Sequence, residues 1–340
     1  MNIYKIFKSN NIILGIETSF NDTACAILKG NKVLSNIIYV QNHNKFCGVK
    51  PNIAYDLHLN NIYNIVNKAI KKSNINIYDI NAISYTIGPG LIGSLMIGEN
   101  FSKSLSLSLK IPIIDVNHIH AHLFSIYIYN EYNKYPKFPY ICISISGGHS
   151  KIFIIKNFFN IVEVGKTLDE SLGRVYDKIA VLLKYNYING PNIIEKKSKL
   201  GKFNYKLPIP KINGFNFSFS GLLTKIKNII LKNKYNENNL CRSFQETIYI
   251  ILKNKIKYSI KKLKIRNIVI TGGVFSNNFL KKKLKKNSIK NNYNLFYNKN
   301  KNLLKDNGAM IALIGQIKYY YKLYNKYNHI SNSKLDINKL

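Results

Sequence analysis

Apolar and polar positions alternate along the chain with two different periods. Ile12–Ile16 is a short apolar run, Glu17 to Thr23 is a small polar loop, and Ala24–Leu28 is a second apolar run. Runs of this length bounded by small polar residues predict a buried strand and its return. Asn61–Lys72 spaces Ile62, Ile65, Val66, Ala69 and Ile70 at helical intervals, so a helix with one apolar face is expected there. Ala82–Ile87 predicts a strand that runs through Gly88-Pro89-Gly90 into a long apolar helical pattern. The opening then recurs. Tyr140–Ile145 predicts a strand, Ser146-Gly147-Gly148-His149-Ser150 a loop, and Lys151–Ile155 the return. Two such small-residue loops could hold phosphate on backbone N–H groups, or be ordinary hairpin turns.

Thr167-Leu168-Asp169-Glu170 has the form of a capping box, which predicts a helix from there through Asp177. Gly190-Pro191 marks a loop. Ile265–Ile270 predicts a strand ending in Thr271-Gly272-Gly273, with a helix resuming near Asn277. Glycine-rich loops after strands are where α/β folds bind nucleotides. The Lys/Asn-rich stretch from Lys281 to Asn302 reads as solvated surface, and the tail after Tyr324 as poorly ordered. Alternating strand and helix signals predict an α/β fold. A chain of 340 residues accommodates two lobes, each with its own core.

Composition narrows the function classes. No run of 18 apolar residues occurs, the first residues lack the apolar segment of a secretion signal, and the four cysteines form no CxxC pair. A cytoplasmic setting, or an organellar stroma, fits these features, and neither a membrane span nor a disulfide framework does. The net charge of +35 admits two readings. One is a nucleic-acid partner. The other is AT-rich coding, since 48 of the 51 basic residues are lysine and tryptophan is absent.

The sharpest chemical feature is Val116-Asn117-His118-Ile119-His120-Ala121-His122. His118 and His122 are four apart and share a face of a helix, where two imidazoles can chelate one metal ion. His120 points elsewhere. Asp306, just before an apolar helical pattern, would complete two histidines and a carboxylate, a set suited to Fe(II) or Zn(II). It could equally be a helix N-cap. A metalloprotease needs a glutamate after the first histidine, and Ile119 stands there.

With these blocks laid out, the chain resembles the TsaD family, the tRNA N6-adenosine threonylcarbamoyltransferases, in an AT-rich form of the kind a reduced bacterial or organellar genome encodes. The matching blocks are GIETSFNDTA (15–24), GPGLIGSLMIG (88–98), VNHIHAHL (116–123), SISGGHS (144–150), the helix through Asp177 with Gly190-Pro191, FSFSGL (217–222), SFQE (243–246), TGGVFSNN (271–278) and DNGAMIA (306–312), in family order over nearly the whole chain. The resemblance implies an actin-like ATPase (ASKHA) fold with two similar lobes around a central cleft. An N-terminal lobe is expected over 1–139 and a C-terminal lobe over 140–340, the C-terminal helix packing back on the first. It implies one divalent metal ion per subunit, Fe2+ ahead of Zn2+, on His118, His122 and Asp306. Substrate contacts carry over to Ser144, Ile145, Ser146, Gly147, Gly148, Asp177, Gly190 and Asn277.

The implied reaction moves threonylcarbamoyl from threonylcarbamoyl-AMP to N6 of the adenosine beside the anticodon in tRNAs reading ANN codons. A TsaB-type sister-fold subunit and a TsaE-type ATPase are the implied partners. No proton-transfer residue is assigned. The chain departs from the family pattern at Cys47-Gly48-Val49-Lys50-Pro51-Asn52-Ile53-Ala54-Tyr55-Asp56, where a glutamate and an arginine are missing, and at Phe20, where cysteine is usual. The rival readings are an actin-like-fold small-molecule kinase, which has no use for the His pair, and a non-catalytic partner subunit, which would lack the pair and Asp306.

Overall fold

The two apolar hairpins of the sequence become the centres of two five-stranded sheets. A computed structural model of the chain describes residues 3–43, 49–129, 135–185, 190–324 and 327–337. The chain divides into two units, Met1–Tyr135 with Asn300–Leu340, and Pro136–Lys299.

In the first unit, helix α1 (Ile3–Phe7) precedes strands β1 (Ile12–Glu17), β2 (Asp22–Lys29) and β3 (Lys32–Val40). Helix α2 (Pro51–Ser73), strand β4 (Ala82–Gly88), helix α3 (Ile92–Leu109), strand β5 (Ile113–Asn117) and helix α4 (His118–Phe124) follow. The sheet order is β3-β2-β1-β4-β5, with β1 antiparallel to β2 and parallel to β4. The second unit repeats this plan with β6 (Tyr140–Ile145), β7 (Ser150–Ile155) and β8 (Ile161–Lys166), then helices α5 (Leu172–Leu182), α6 (Gly190–Ser198), α7 (Ser220–Leu231) and α8 (Glu237–Leu263). Strand β9 (Asn267–Thr271), helix α9 (Asn278–Lys290) and strand β10 (Asn294–Phe296) complete it. Its order, β8-β7-β6-β9-β10, is the first order over again with the same strand directions. Helix α10 (Gly308–Tyr320) closes the first unit.

Alternation along β1 explains how that unit is layered. Leu14 and Ile16 join Ile62, Ile65 and Val66 of α2 in one apolar core. Gly15, between them, turns to the other face and meets the backbone of Gly308 and Ala312. A side chain at 15 would push α10 away, so the missing Cβ seats this helix on the sheet. Residues Gly308–Ile317 of α10 are all buried, as a helix apolar all round requires. Because α10 starts there, Asp306 is delivered beside α4. The chain crosses between the units twice, after Tyr135 and before Asn300, and the segment from Asn300 onward belongs to the first unit.

Several expectations are corrected. The helix expected over 61–72 begins ten residues earlier, with Pro51 in its first turn, where a missing N–H costs nothing. The helix expected from Thr167 begins at Leu172, with Ser171 as its N-cap. Thr167 instead bridges to Phe217, and its hydroxyl bonds the Glu170 carbonyl. The stretch from Lys281 to Asn302 is not only solvated surface: it carries most of α9 and all of β10, and buries Leu284 and Tyr293. Part of the tail is firmly placed. Asn332 donates its N–H to Ile87, Ser331 to the Glu99 carboxylate, and Gly90 donates to Ser333. His329 Nδ1 also lies 2.9 Å from the Asp115 carboxylate, and Leu335 packs on the first unit's core, scattered contacts that leave no apolar period in the sequence. Residues 325, 326 and 338–340, and Cys47 and Gly48 of the departing segment, lie outside the described residues.

Candidate metal centre and ligand loops

Strand β5 ends in Asn117, whose side chain accepts the N–H groups of Ile119 and His120 and so starts α4 at His118. That start fixes the two histidines on one face, with ring centroids 4.7 Å apart and nearly perpendicular. Asp306 is 184 positions further on, yet its Oδ1 lies 3.0 Å from His122 Nε2 and 3.7 Å from His118 Nε2. The three ligand atoms fall within 4.8 Å of one another. The plainer role for Asp306 is taken by its neighbour, since Asn307 is the N-cap of α10 and accepts the Met310 N–H. His120 is buried against Phe124, away from this group. Two imidazole nitrogens and one carboxylate oxygen fit a divalent transition metal and leave coordination positions open.

The hairpin turn of the first unit lies against this group. Glu17, fully buried at the end of β1, accepts the Ser19 N–H at 2.6 Å, the Thr86 hydroxyl at 2.5 Å and His118 Nδ1–H at 3.1 Å. Burial pushes the Glu17 carboxyl up, but the charge of His118 and its hydrogen bond outweigh burial and hold it ionised. Burial pushes His118 down, and Glu17 and Asp306 more than reverse that, raising it to about 9. Behind the turn, buried His58 of α2 has Nε2 3.0 Å from the Phe20 carbonyl and Nδ1 2.8 Å from the Thr23 hydroxyl. A carbonyl only accepts, so the proton sits on Nε2 and Nδ1 accepts from Thr23.

The matching turn of the second unit is built differently. Ser144 and Ile145 are buried at the end of β6, Ser146 is half-buried, and Gly147 and Gly148 are exposed. His149 closes the turn, its ring 2.9 Å from the Ser144 hydroxyl and 3.0 Å from that of Ser146. Ser171, the cap of α5, donates its hydroxyl to the Gly147 carbonyl at 2.5 Å. A side chain at Gly173 would strike Ser146 and Gly147, so its absence lets α5 lie against the turn. The same helix carries Asp177, which accepts the Gly190 N–H at 3.1 Å and is raised to about 6 by burial, against the pull of that bond. Arg174 reaches Glu170, so Asp177 is not spent on an ion pair with it. Asn277 is fully buried. It caps α9 through Leu280 and bonds Gln245, which also accepts from Tyr176 of α5. Helix α5 thus ties the turn, Asp177 with Gly190, and Asn277 into one connected set, while the metal group belongs to the other unit.

Other residues escaped assignment from sequence. Glu17 sits inside a quoted block without a role. Asp169 receives the hydroxyls of Ser218 and Ser220 and the N–H of Phe219, which holds its carboxyl far below the usual range despite burial and caps α7 from a distance. Glu195 caps α9 by accepting from Asn278 and Phe279, and lines a cavity of about 330 Å³ with Ser198, Arg242 and Phe279. Glu17 is a polar residue inside a quoted block, but the partners of all three lie tens of positions away.

The model of the family described as TsaD, tRNA N6-adenosine threonylcarbamoyltransferase, matches residues 32–313. The chain belongs to this family. Curated relatives of that name are similar over most of their length. One from Riemerella anatipestifer is 40% identical, over 91% of this chain and 93% of the relative. Another from Thermosipho africanus is 42% identical, over 93% and 95%. Members are transferases of the acyltransferase class that form threonylcarbamoyl-adenosine in tRNA, and this chain is one of them. Among solved structures, the chain resembles T. kodakarensis HypF, with a TM-score of 0.64 at 15% identity over 95% of this chain and 49% of that one. It also resembles component A of (R)-2-hydroxyglutaryl-CoA dehydratase from Acidaminococcus fermentans, with a TM-score of 0.54 at 12% identity over 91% and 99%. These likenesses establish the actin-like ATPase fold expected from the sequence.

Proposed function

We propose that this chain transfers threonylcarbamoyl from threonylcarbamoyl-AMP to N6 of adenosine 37 in tRNAs reading ANN codons, with one divalent metal ion, Fe2+ before Zn2+, on His118, His122 and Asp306. The observation that carries the metal assignment is the meeting of His122 and Asp306 at 3.0 Å across 184 positions, with His118 alongside. When bound, the ion supplies a Lewis acid for the donor's oxygens. The exposed backbone of Gly147 receives a polar oxygen of the donor on its N–H, the Gly148 N–H being given to the Ser146 hydroxyl. Asp177 and Gly190 contact the donor. Asn277, being buried and bonded, acts by holding the start of α9 beside the cavity. That cavity is of a size that takes a nucleoside. The amine of the adenosine attacks the carbamoyl carbon and AMP leaves. An adenosine beside an anticodon is already in a loop, so little energy is needed to splay it out.

We assign the partners by the same reading. Tyr55, Leu59 and Tyr63 form an exposed stripe on α2, beside exposed Ile92 and Met96 of α3, and Gly93 lies against the Tyr55 ring. This apolar face suits a TsaB-type sister-fold subunit, with a TsaE-type ATPase acting on the pair. The lysine-rich surface suits tRNA. Among the described residues no helix is long and apolar enough to cross a membrane. We place the protein in the cytoplasm, where the buried free thiols of Cys25, Cys142 and Cys241 stay reduced.

The test is a reconstituted transfer assay with metal, donor and partner subunits. It compares a tRNA carrying the target adenosine with the same tRNA changed at that base, read by nucleoside mass spectrometry. Modification of the first tRNA alone is expected. Equal modification of both, or none under any partner combination, overturns the reading.

A further inference from the structure

We propose that Glu17 is a positioning residue for the metal centre: its buried carboxylate fixes the ring and tautomer of His118 so that Nε2 is presented to the ion. The inference rests on the metal reading above and extends it to a residue outside the ligand set.

Three observations support it. First, Glu17 Oε2 faces His118 Nδ1 at 3.1 Å, while His118 Nε2 is the nitrogen turned toward Asp306. A histidine that gives Nδ1–H to a carboxylate can offer only Nε2 to a metal, and the carboxylate makes that nitrogen a better donor. Second, the carboxylate is itself aimed. The Thr86 hydroxyl from β4 and the Ser19 N–H hold its two oxygens at 2.5 and 2.6 Å, and Ser19 Oγ also lies 3.1 Å from His118 Nδ1. Third, the fold does not need a carboxylate at this place. In the second unit the last residue of the matching strand is Ile145, buried in apolar surroundings, and the hairpin forms all the same. Placing an ionisable group where an isoleucine suffices is costly unless the group has a partner. Here the partner is a metal-ligating histidine.

The experiment titrates the purified full chain with Zn(II), and with Co(II), against a competing chelator, for wild type, Glu17→Gln and His122→Ala. Wild type is expected to bind one ion and His122→Ala to lose it. Glu17→Gln should bind about 10- to 100-fold more weakly, the range for losing a partner of a ligating histidine. Its Co(II) absorption bands should shift, in protein whose circular dichroism matches that of wild type. Wild-type affinity and bands in Glu17→Gln would overturn the proposal while leaving the metal site intact. Equal metal content in wild type and His122→Ala would overturn the metal reading itself. Should Glu17→Gln not fold, Thr86→Val removes only the hydroxyl that aims the carboxylate. A several-fold weaker site in that variant supports the proposal, and an unchanged one overturns it.

Discussion

The two hairpin turns, 17–22 in the first unit and 145–150 in the second, sit at the same place in the same strand order, yet they have diverged into different chemical tools. The first is closed and charged. Its leading residue is a buried carboxylate, its serine lies against a metal-site histidine, and His58 secures it from behind. The second is open and neutral. Its leading residue is an isoleucine, and two exposed glycines lie over a serine-histidine brace, with the Gly147 carbonyl and Gly148 N–H tied to serine hydroxyls. A strand-turn-strand unit therefore fixes where a loop projects, and leaves what it binds to a few side chains. The closed turn can orient a cation's ligand. The open turn can offer an N–H group to an oxygen.

The largest effect should come from the closed side. On the proposed metal site, His122→Ala removes a ligand, and its metal content should fall to background by elemental analysis, with tRNA modification lowered by well over the ~100-fold that an outer partner accounts for. Metal content equal to wild type would break the contrast, because the closed turn would then have no ion to serve.

Gly147→Val tests the open side. A Cβ at Gly147 meets no atom within 4 Å, so the variant should fold with a stability within about 0.5 kcal/mol of wild type. Its affinity for adenylate, measured by calorimetry, should drop by at least about 10-fold, since a ligand bound through backbone would meet the new side chain. Unchanged binding would reduce the open turn to a connector.

A smaller and pH-dependent effect is expected at Asp177. Burial raises its carboxyl to about 6 in the folded chain, so folding takes up a proton between roughly pH 4 and pH 6. The ionised form therefore costs stability above about pH 6, and the cost disappears below about pH 4. Asp177→Asn keeps the oxygen that accepts from Gly190. It should be more stable than wild type by about 1–2 kcal/mol near pH 7.5, and equal near pH 4, in denaturant titrations. A gain that is the same at both pH values would mean that the charge is not its source. A loss of donor binding in the same variant would show that the strained carboxylate is kept for the ligand.

The legible part of the molecule was local. Strand β6 was predicted with its observed bounds, and β1, β2, β4 and β7 to within two residues at each end, because each is a short apolar run between small polar residues. The duplication of the hairpin was visible for the same reason. The pairing of His118 with His122 followed from helical spacing alone. The start of α5 was misplaced because Thr167 carries a cap-like pattern whose hydroxyl is spent on Glu170, and Ser171 is the cap. The tail's placement is not legible because its attachments, backbone hydrogen bonds at Gly90, Ser331 and Asn332 and isolated side-chain contacts of His329 and Leu335, follow no period along the chain.

Most element positions, the two-fold repetition of their order and the residue types available for chemistry are written locally along the chain. Period, length and turn residues act over a few positions, so they can be read along the chain. Packing settled which of those residues meet. It crossed α10 over Gly15 and so brought Asp306 to α4. It let Asn307, not Asp306, cap the helix, and it turned Glu17 inward onto His118. Those contacts join positions tens to hundreds apart, and they depend on how closely backbones approach and on which buried polar atoms find partners. Both are properties of packed surfaces, which no local pattern contains.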